Sequence, residues 1–280
     1  MYREMNEEYY EALPDIQAYL DRIGVRMREP SVDYLDELVY AHQCTVPFEN
    51  LDVYEYRRAV SLETGKLFDK IVTRGRGGYC FELNGLFVAL LCALGFDAWS
   101  CPCRITRDEN ARRSQIMHRG NIVRVDGELY FCDVGFGGPM APFAVPFNGE
   151  KKTVHGETFW FSQTDEWWWM LRRITRGKAD VSSIGVDPEK REQCVPAPVM
   201  LVSPTSWEPT DFIELNRACS EGPGARFART RMVNMRRPDG YCAISENRLT
   251  LVENGNRTER ELGQDEVAPA LLQYFNLADR

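Results

Sequence analysis

The sequence has no long apolar run, few histidines and no closely paired cysteines. Its longest apolar stretch, residues 83–96, is interrupted by Asn84, Gly85 and Gly95 and is too short to cross a bilayer, so it predicts a buried helix. The first twenty residues are acidic and lack an apolar segment, which argues against a signal or transit peptide. With three histidines and no C-x-x-C pair, the chain is not expected to hold a structural metal.

The composition is that of an ordinary globular protein. The 280 residues are 44% hydrophobic and 27% charged, enough for one large domain or two to three small ones. The 34 basic and 42 acidic residues give a net charge of −8, which disfavours nucleic acid as a partner. Nine cysteines, an odd number without an export signal, favour reduced thiols in the cytoplasm.

The order of local patterns predicts an α+β fold. Helical spacing dominates up to Gly95, for example in Tyr9–Ile23 and in a helix that Ser31 would cap. Short β-rich segments follow, and later segments mix both kinds, with Arg226–Arg236 predicted as a strand and Glu266–Asn276 as a closing helix. These changes divide the chain into three predicted subdomains: residues 1–95, 96–205 and 206–280.

A glycine-rich turn precedes Cys80. It does not fit a dinucleotide fingerprint, because Cys80 replaces the third glycine, and no Gly-Lys-Ser/Thr follows to make a phosphate loop. Gly77 and Gly78 would allow a sharp turn and close approach of a ligand. At a helix start, free amides and the helix dipole favour a thiolate and would stabilise an oxyanion. Cys80 is therefore a candidate nucleophile, although a buried cysteine is commonly just a small apolar residue.

A hairpin supplies a candidate base for this thiol. Asp126-Gly127 is a strong two-residue turn signal, and it would place Ile122 opposite Phe131. His118 would then lie diagonal to Asp133 on the same partly apolar face, where the carboxylate could orient the imidazole. An exposed surface pair is the alternative interpretation. The other histidines are expected at a helix end and in a solvated loop: His42 and His155.

Three motifs resemble those of the arylamine N-acetyltransferase family. They are Arg76-Gly77-Gly78-Tyr79-Cys80-Phe81-Glu82-Leu83-Asn84, His42 with Pro47-Phe48-Glu49-Asn50-Leu51, and Asp133-Val134-Gly135-Phe136-Gly137. The resemblance implies a helical bundle, a β-barrel and an α/β lid around a cysteine-protease-like core. It also implies a catalytic triad of Cys80, His118 and Asp133.

The resemblance implies transfer of an acetyl group from acetyl-CoA, through an acetyl-cysteine, to an arylamine or arylhydrazine, with O-acetylation of N-hydroxyarylamines as an extension. Phe136 is the main candidate for an aromatic acceptor pocket, with Phe48 and Ile105 as further candidates that would serve equally well as core residues. A thiol hydrolase or transglutaminase-like enzyme, a macrolactam-forming amide synthase and a binding module with an inert Cys80 are the alternatives.

An arginine-rich segment offers a site for the phosphates of coenzyme A. Residues 217–237 hold six arginines and a single acidic residue, and arginine pairs bidentately with phosphate. Arg226 and Arg229 are the predicted phosphate ligands, and Gly135 is assigned with them to the coenzyme A site. A solvated strand face is the alternative interpretation of the segment.

Overall fold

The computed structural model describes residues 6–106, 114–174, 196–222 and 224–278. In these ranges no helix is long and apolar enough to span a membrane. The α-helices are α1 (Ile16–Ile23), α2 (Val32–Thr45), α3 (Leu51–Tyr54), α4 (Thr64–Phe68), α5 (Cys80–Ala93), α6 (Ile213–Ser220) and α7 (Gln264–Phe275). Short helical turns of other types cover Glu7–Tyr9, Asp69–Thr73, Pro209–Phe212 and Arg226–Ala228.

The strands form two antiparallel sheets. They are β1 (Phe48–Glu49), β2 (Asp97–Ile105), β3 (His118–Val125), β4 (Glu128–Cys132), β5 (Val145–Pro146), β6 (Lys152–Val154), β7 (Glu157–Gln163), β8 (Trp169–Ile174), β9 (Ala197–Val202), β10 (Met232–Arg237), β11 (Gly240–Ser245), β12 (Arg248–Glu253) and β13 (Asn256–Glu261). The larger sheet has the order β5-β4-β3-β2-β9-β8-β7-β6 and curls until β5 lies near β7, so the barrel is nearly closed. The smaller sheet has the order β1-β10-β11-β12-β13.

This arrangement confirms the predicted α+β class. The division at residues 95 and 205 stays a prediction, because β1 from the first segment pairs with β10 from the third. The apolar run after Cys80 is the predicted buried helix, α5, which packs against α1, α4, β2 and β3. Ser31 caps α2 as expected, since its hydroxyl accepts a hydrogen bond from the Tyr34 amide at 3.2 Å.

Two predicted elements begin later than their patterns indicate. The first long helix starts at Ile16, because the Asp15 side chain accepts a hydrogen bond from the Ala18 amide and Pro14 lacks an N–H. The predicted strand Arg226–Arg236 was wrong in its first half, where Arg226–Ala228 forms a helical turn.

Asn50 explains the late start of β10. Its side-chain amide donates to the carbonyls of Phe227 and Thr230 at 2.8 and 2.7 Å, and its oxygen accepts from the Met232 amide at 2.8 Å. These bonds satisfy backbone groups that a strand partner would otherwise take. A single amide from the first segment therefore fixes the loop in which Arg226 and Arg229 lie.

The turn before α5 rests on a buried ion cluster. Lys70 Nζ lies 2.7 Å from both Glu82 and Asp52 and 3.9 Å from Glu49, and Arg76 pairs with Glu49 at 2.7 Å. Three carboxylates thus share two cations. Burial is the largest influence on Glu82 and raises the pKa of its carboxyl to about 7, while Lys70 opposes that rise.

Replacing Lys70 tests how far the fold depends on this cluster. Lys70→Met leaves three buried carboxylates with one cation, so we expect the free energy of unfolding to fall by about 3–5 kcal/mol. Lys66→Met is the matched control, because Lys66 lies in α4 and only forms an exposed pair with Glu63. Urea unfolding followed by circular dichroism measures both changes. Equal stabilities for the two variants would contradict the prediction.

Candidate active site

Cys80 is the first residue of α5 and is 2% exposed. A side chain at either preceding glycine would collide with the protein itself. A Cβ at Gly77 would lie 2.0 Å from the Pro47 carbonyl oxygen, and one at Gly78 would lie 2.7 Å from Glu82 Oε2. The glycines are thus explained by close packing beneath Cys80, which was expected from the approach of a ligand instead.

Two side chains hold the start of α5. Glu82 Oε2 accepts a hydrogen bond from the Tyr79 amide at 3.0 Å, which satisfies one of the free N–H groups of the first turn. The Tyr79 hydroxyl donates to Asn216 Oδ1 in α6. The position of Cys80 is therefore fixed from inside its own helix and from a segment more than a hundred residues away.

His118 and Asp133 meet as the hairpin predicts. Ile122 pairs with Phe131 in the observed register, and His118 Nε2 lies 2.7 Å from Asp133 Oδ2. The imidazole also forms a side-chain hydrogen bond with Cys80. Since Nε2 is engaged by the carboxylate, Nδ1 is the nitrogen available to the thiol. The three predicted triad residues therefore lie in one buried cluster.

The surroundings of His118 favour its charged form. Burial is the largest single influence and acts to lower its pKa, but the charge and hydrogen bond of Asp133, followed by those of Cys80, outweigh it and raise the pKa to about 10. At neutral pH the imidazole is therefore an imidazolium. An adjacent imidazolium stabilises a thiolate, which is the reactive form of cysteine.

Asn84 joins the helix to the hairpin. Its amide nitrogen donates to the Arg119 carbonyl at 2.6 Å and to Asp133 Oδ1 at 2.8 Å. Its oxygen accepts from the Val134 amide at 3.0 Å and from the Asn121 side chain at 3.3 Å. The sequence analysis quotes Asn84 only as a motif position. Its spacing of four from Cys80, one helical turn, was the available signal.

A cavity of about 330 Å³ opens beside the triad. Cys80 and His118 lie in its wall together with five other predicted site residues: Phe48, Ile105, Gly135, Phe136 and Arg226. Residues that sequence reasoning missed also line it: Met117, Arg173, Phe227, Met232 and Tyr241. Most of this wall is apolar, as is usual for a site that binds a small organic molecule.

The segment after Asp133 shapes the cavity. The Phe136 ring packs edge-on against the His118 ring at a centroid distance of 5.3 Å. Gly135 donates its amide to Asp133 Oδ1 at 2.9 Å, and a Cβ there would lie 2.8 Å from the Cys80 Cα atom. Only glycine allows this strand end to pass so close to the nucleophile.

The six arginines of residues 217–237 fall into two groups. Four pair with carboxylates and are thereby neutralised: Arg217 with Glu214, Arg231 with Glu55, Arg236 with Glu157 and Arg237 with Asp239. Arg226 and Arg229 are exposed and form no hydrogen bond or ion pair within the described part of the chain. Arg226 lines the cavity, and Arg229 follows it by three residues outside the lining.

The other two histidines have no place in the site. His42 is fully buried in the last turn of α2, where Nε2 lies 3.0 Å from the Tyr19 hydroxyl, and burial lowers its pKa to about 3. His155 is exposed in a turn and stacks on Tyr40 at 4.1 Å. Across residues 6–106, 114–174, 196–222 and 224–278, no group of three or more potential ligands is placed to hold a metal ion.

Comparisons with known proteins agree with this geometry. A family model described as N-acetyltransferase matches residues 31–278. The arylamine N-acetyltransferase / N-hydroxyarylamine O-acetyltransferase of Salmonella typhimurium is 37% identical over 155 residues, which is 54% of this chain and 55% of that relative. The first curated relatives are thus matched over about half of their length.

Two further proteins are similar over nearly the whole chain. The proansamycin X synthase of Amycolatopsis mediterranei is 25% identical over 266 residues, 92% of this chain and 95% of that protein. The arylamine N-acetyltransferase of Mycobacterium marinum, solved in complex with CoA, superposes with a TM-score of 0.80 at 24% identity, covering 94% of this chain and 92% of that one. The second similarity establishes the fold.

Removing the Asp133 charge tests the electrostatics of the cluster. Asp133→Asn withdraws the carboxylate that sustains the imidazolium, so we expect alkylation of Cys80 by iodoacetamide at pH 7 to slow by about tenfold. Peptide mapping after timed labelling gives the rate. Asp97→Asn is the control, since Asp97 forms only an exposed pair with Arg124. An unchanged rate in Asp133→Asn would contradict the prediction.

Proposed function

The chain belongs to the N-acetyltransferase family whose model matches residues 31–278, and from that premise we propose that it transfers an acetyl group from acetyl-CoA to an arylamine or arylhydrazine. The observation that carries the proposal is the Cys80–His118–Asp133 cluster in the wall of an apolar cavity. Similarity to the Salmonella relative supports the acceptor class, with O-acetylation of N-hydroxyarylamines as an extension.

In the first half-reaction the Cys80 thiolate attacks the thioester carbonyl carbon of acetyl-CoA. The first-turn N–H groups of α5 have no intrahelical acceptors and are suited to stabilise the tetrahedral oxyanion. The bond between the acetyl carbon and the CoA sulfur then breaks, and that sulfur leaves with the proton held by His118. Acetyl-Cys80 and neutral His118 remain.

In the second half-reaction the amine nitrogen attacks acetyl-Cys80. His118 Nδ1 removes a proton from the nitrogen as the new C–N bond forms. The bond between the acetyl carbon and the Cys80 sulfur breaks, and the sulfur leaves as a thiolate beside the new imidazolium. Both half-reactions use the same cavity, so the two substrates bind in turn.

The cavity wall suits a neutral aromatic acceptor. Phe136 packs against His118, and Phe48 contacts Phe227 edge-on with ring centroids 6.1 Å apart. Arylamines are weak bases and carry no charge near pH 7, so they can enter an apolar site at little desolvation cost. These aromatic rings and Ile105 are the proposed acceptor contacts.

Arg226 and Arg229 are the proposed ligands of the coenzyme A phosphates. They are the two arginines of their segment that no carboxylate neutralises within the described ranges, and Arg226 reaches the cavity wall. Arginine binds phosphate in a charge-assisted, bidentate manner. Gly135 is proposed to complete this site, because its missing side chain leaves room beside Cys80.

The cytoplasm is the proposed location. The eight cysteines within the described ranges are free thiols, including the exposed Cys92. Free thiols persist in reducing compartments, whereas secreted proteins usually form disulfides.

A macrolactam-forming amide synthase is the second candidate. The proansamycin X synthase is similar over 92% of this chain, so the same triad could serve an acceptor amine carried on the acyl chain itself. Such an enzyme would not transfer acetyl groups between separate small molecules. A thiol hydrolase would pass the acyl group to water.

The acetyl intermediate provides the test of the proposed function. Incubation with acetyl-CoA should add one acetyl group to Cys80, detected by intact mass and peptide mapping, and an added arylamine should remove it as the amide. Cys80→Ala should take up no acetyl group, and Cys92→Ala should behave as the unmodified protein because Cys92 lies on the surface. Absence of acetyl-Cys80, or its loss to water regardless of arylamine, would contradict the proposal.

The coenzyme A contacts are tested separately. The double variant Arg226→Met and Arg229→Met should raise KM for acetyl-CoA by about tenfold, the effect of losing one charge-assisted contact. Turnover of a small phenyl acetate, which has no phosphates, should not change. Arg217→Met with Arg237→Met is the matched control, since carboxylates already neutralise both arginines. Equal losses with both substrates would contradict the assignment.

A further inference from the structure

Arg119 follows His118 in β3 and is a fully buried cation. Its Nε donates to Ser100 Oγ at 2.9 Å, and Nη1 lies 3.5 Å from the Phe81 carbonyl oxygen in the first turn of α5. The guanidinium carbon lies 4.7 Å from the centre of the Phe212 ring. Within the described residues no carboxylate pairs with this guanidinium, so all its direct contacts are neutral.

A buried charge without a carboxylate partner is costly to fold. Burial acts first on Arg119 and lowers its pKa to about 10, and the influences that oppose this are the thiols of Cys80 and Cys101. Arginine still carries its charge at neutral pH. The charge therefore faces the nucleophile of the site rather than a structural acid.

Several titratable or charged groups face Cys80 from the elements packed around it. They are Tyr79 and Glu82 at the start of α5, His118 and Arg119 on β3, Asp133 after β4, Cys101 and Cys103 on β2, Cys219 on α6, and Arg173 and Arg226 in the cavity wall. The thiols and the tyrosine are neutral at pH 7. Lys70 pairs with Glu82, which separates that carboxyl from the triad.

The innermost charges cancel when Arg119 is included. The Cys80 thiolate and the Asp133 carboxylate contribute two negative charges, and imidazolium and guanidinium contribute two positive ones. Without Arg119 the resting triad would hold one buried excess negative charge. A low-dielectric interior makes such an excess expensive.

We propose that Arg119 is a positioning residue that acts through Cys80 and His118: its fixed charge keeps the buried triad electrically neutral at every stage of the reaction. The inference rests on the proposed acetyl transfer. When acetyl-Cys80 forms, the thiolate becomes a neutral thioester and His118 gives its proton to the departing sulfur. Asp133 and Arg119 then balance each other. Attack by the amine returns one proton to His118 and frees one thiolate, so the sum stays zero.

Loss of the Arg119 charge has a defined sign. Ionisation of the pair first removes one proton to give thiolate and imidazolium, and then a second proton from the imidazolium. Each loss makes the site more negative by one charge. A nearby cation favours both losses, so its removal shifts both to higher pH.

The test is the pH dependence of Cys80 alkylation by iodoacetamide, followed by peptide mapping in the intact protein. Arg119→Met should move the midpoint of alkylation upward by about one pH unit, and Arg119→Lys should retain the original midpoint. Arg124→Met is the matched control on the same strand, because Arg124 is exposed and pairs with Asp97. A folded Arg119→Met protein with the original midpoint would overturn the proposal, since a merely structural role would not move it.

A second neutral variant covers poor folding of the first. Arg119→Gln keeps a donor for Ser100 and Phe81 while removing the charge, and the same upward shift is expected from it. An unchanged midpoint in that variant would equally overturn the proposal. Alkylation requires neither acetyl-CoA nor an arylamine, so the proposed function can fail in the acetylation test while the Arg119 charge effect is still measured.

Discussion

The site depends on the contact between the first turns of α5 and the β3–β4 hairpin. Asn84 makes that contact by using both amide protons and both lone pairs of its oxygen on the Arg119 carbonyl, Asp133, Val134 and Asn121. Every one of these bonds is buried. A buried amide that satisfies all its partners holds them in one geometry, because any displacement would strand polar groups without water. The nucleophile and its base are therefore positioned by the same side chain.

Local physics made the hairpin predictable. Asp126 and Gly127 have φ values of 50° and 86°, the left-handed conformations that a two-residue hairpin turn requires, and the turn fixes the register that brings His118 toward Asp133. The approach of Cys80 was less accessible. Its glycines and helix start indicate a nucleophile, but the meeting with His118 depends on packing between segments far apart in the chain, and the resemblance to a known family supplied that link.

Other features lay outside the reach of sequence patterns. β13 was missed because all six of its residues are exposed, so no alternation of apolar and polar residues marks it. The fate of the arginine-rich segment depended on carboxylates elsewhere in the chain, such as Glu55 and Glu157, that neutralise some of its members. The same holds for Arg119 and Lys70: a buried charge is intelligible only when its partners in space are known.

His42 and His118 show how completely partners decide the outcome. Both imidazoles are fully buried, and burial is the largest influence on each. The Tyr19 hydroxyl beside His42 carries no charge, so burial prevails and the pKa falls to about 3. Asp133 beside His118 is a carboxylate, and the pKa rises to about 10. A neutral partner thus makes a buried histidine a fixed packing group, whereas a carboxylate makes it a cation that can stabilise a thiolate. The carboxylate that does so must itself be balanced, and the nearest buried cation on the same strand is Arg119.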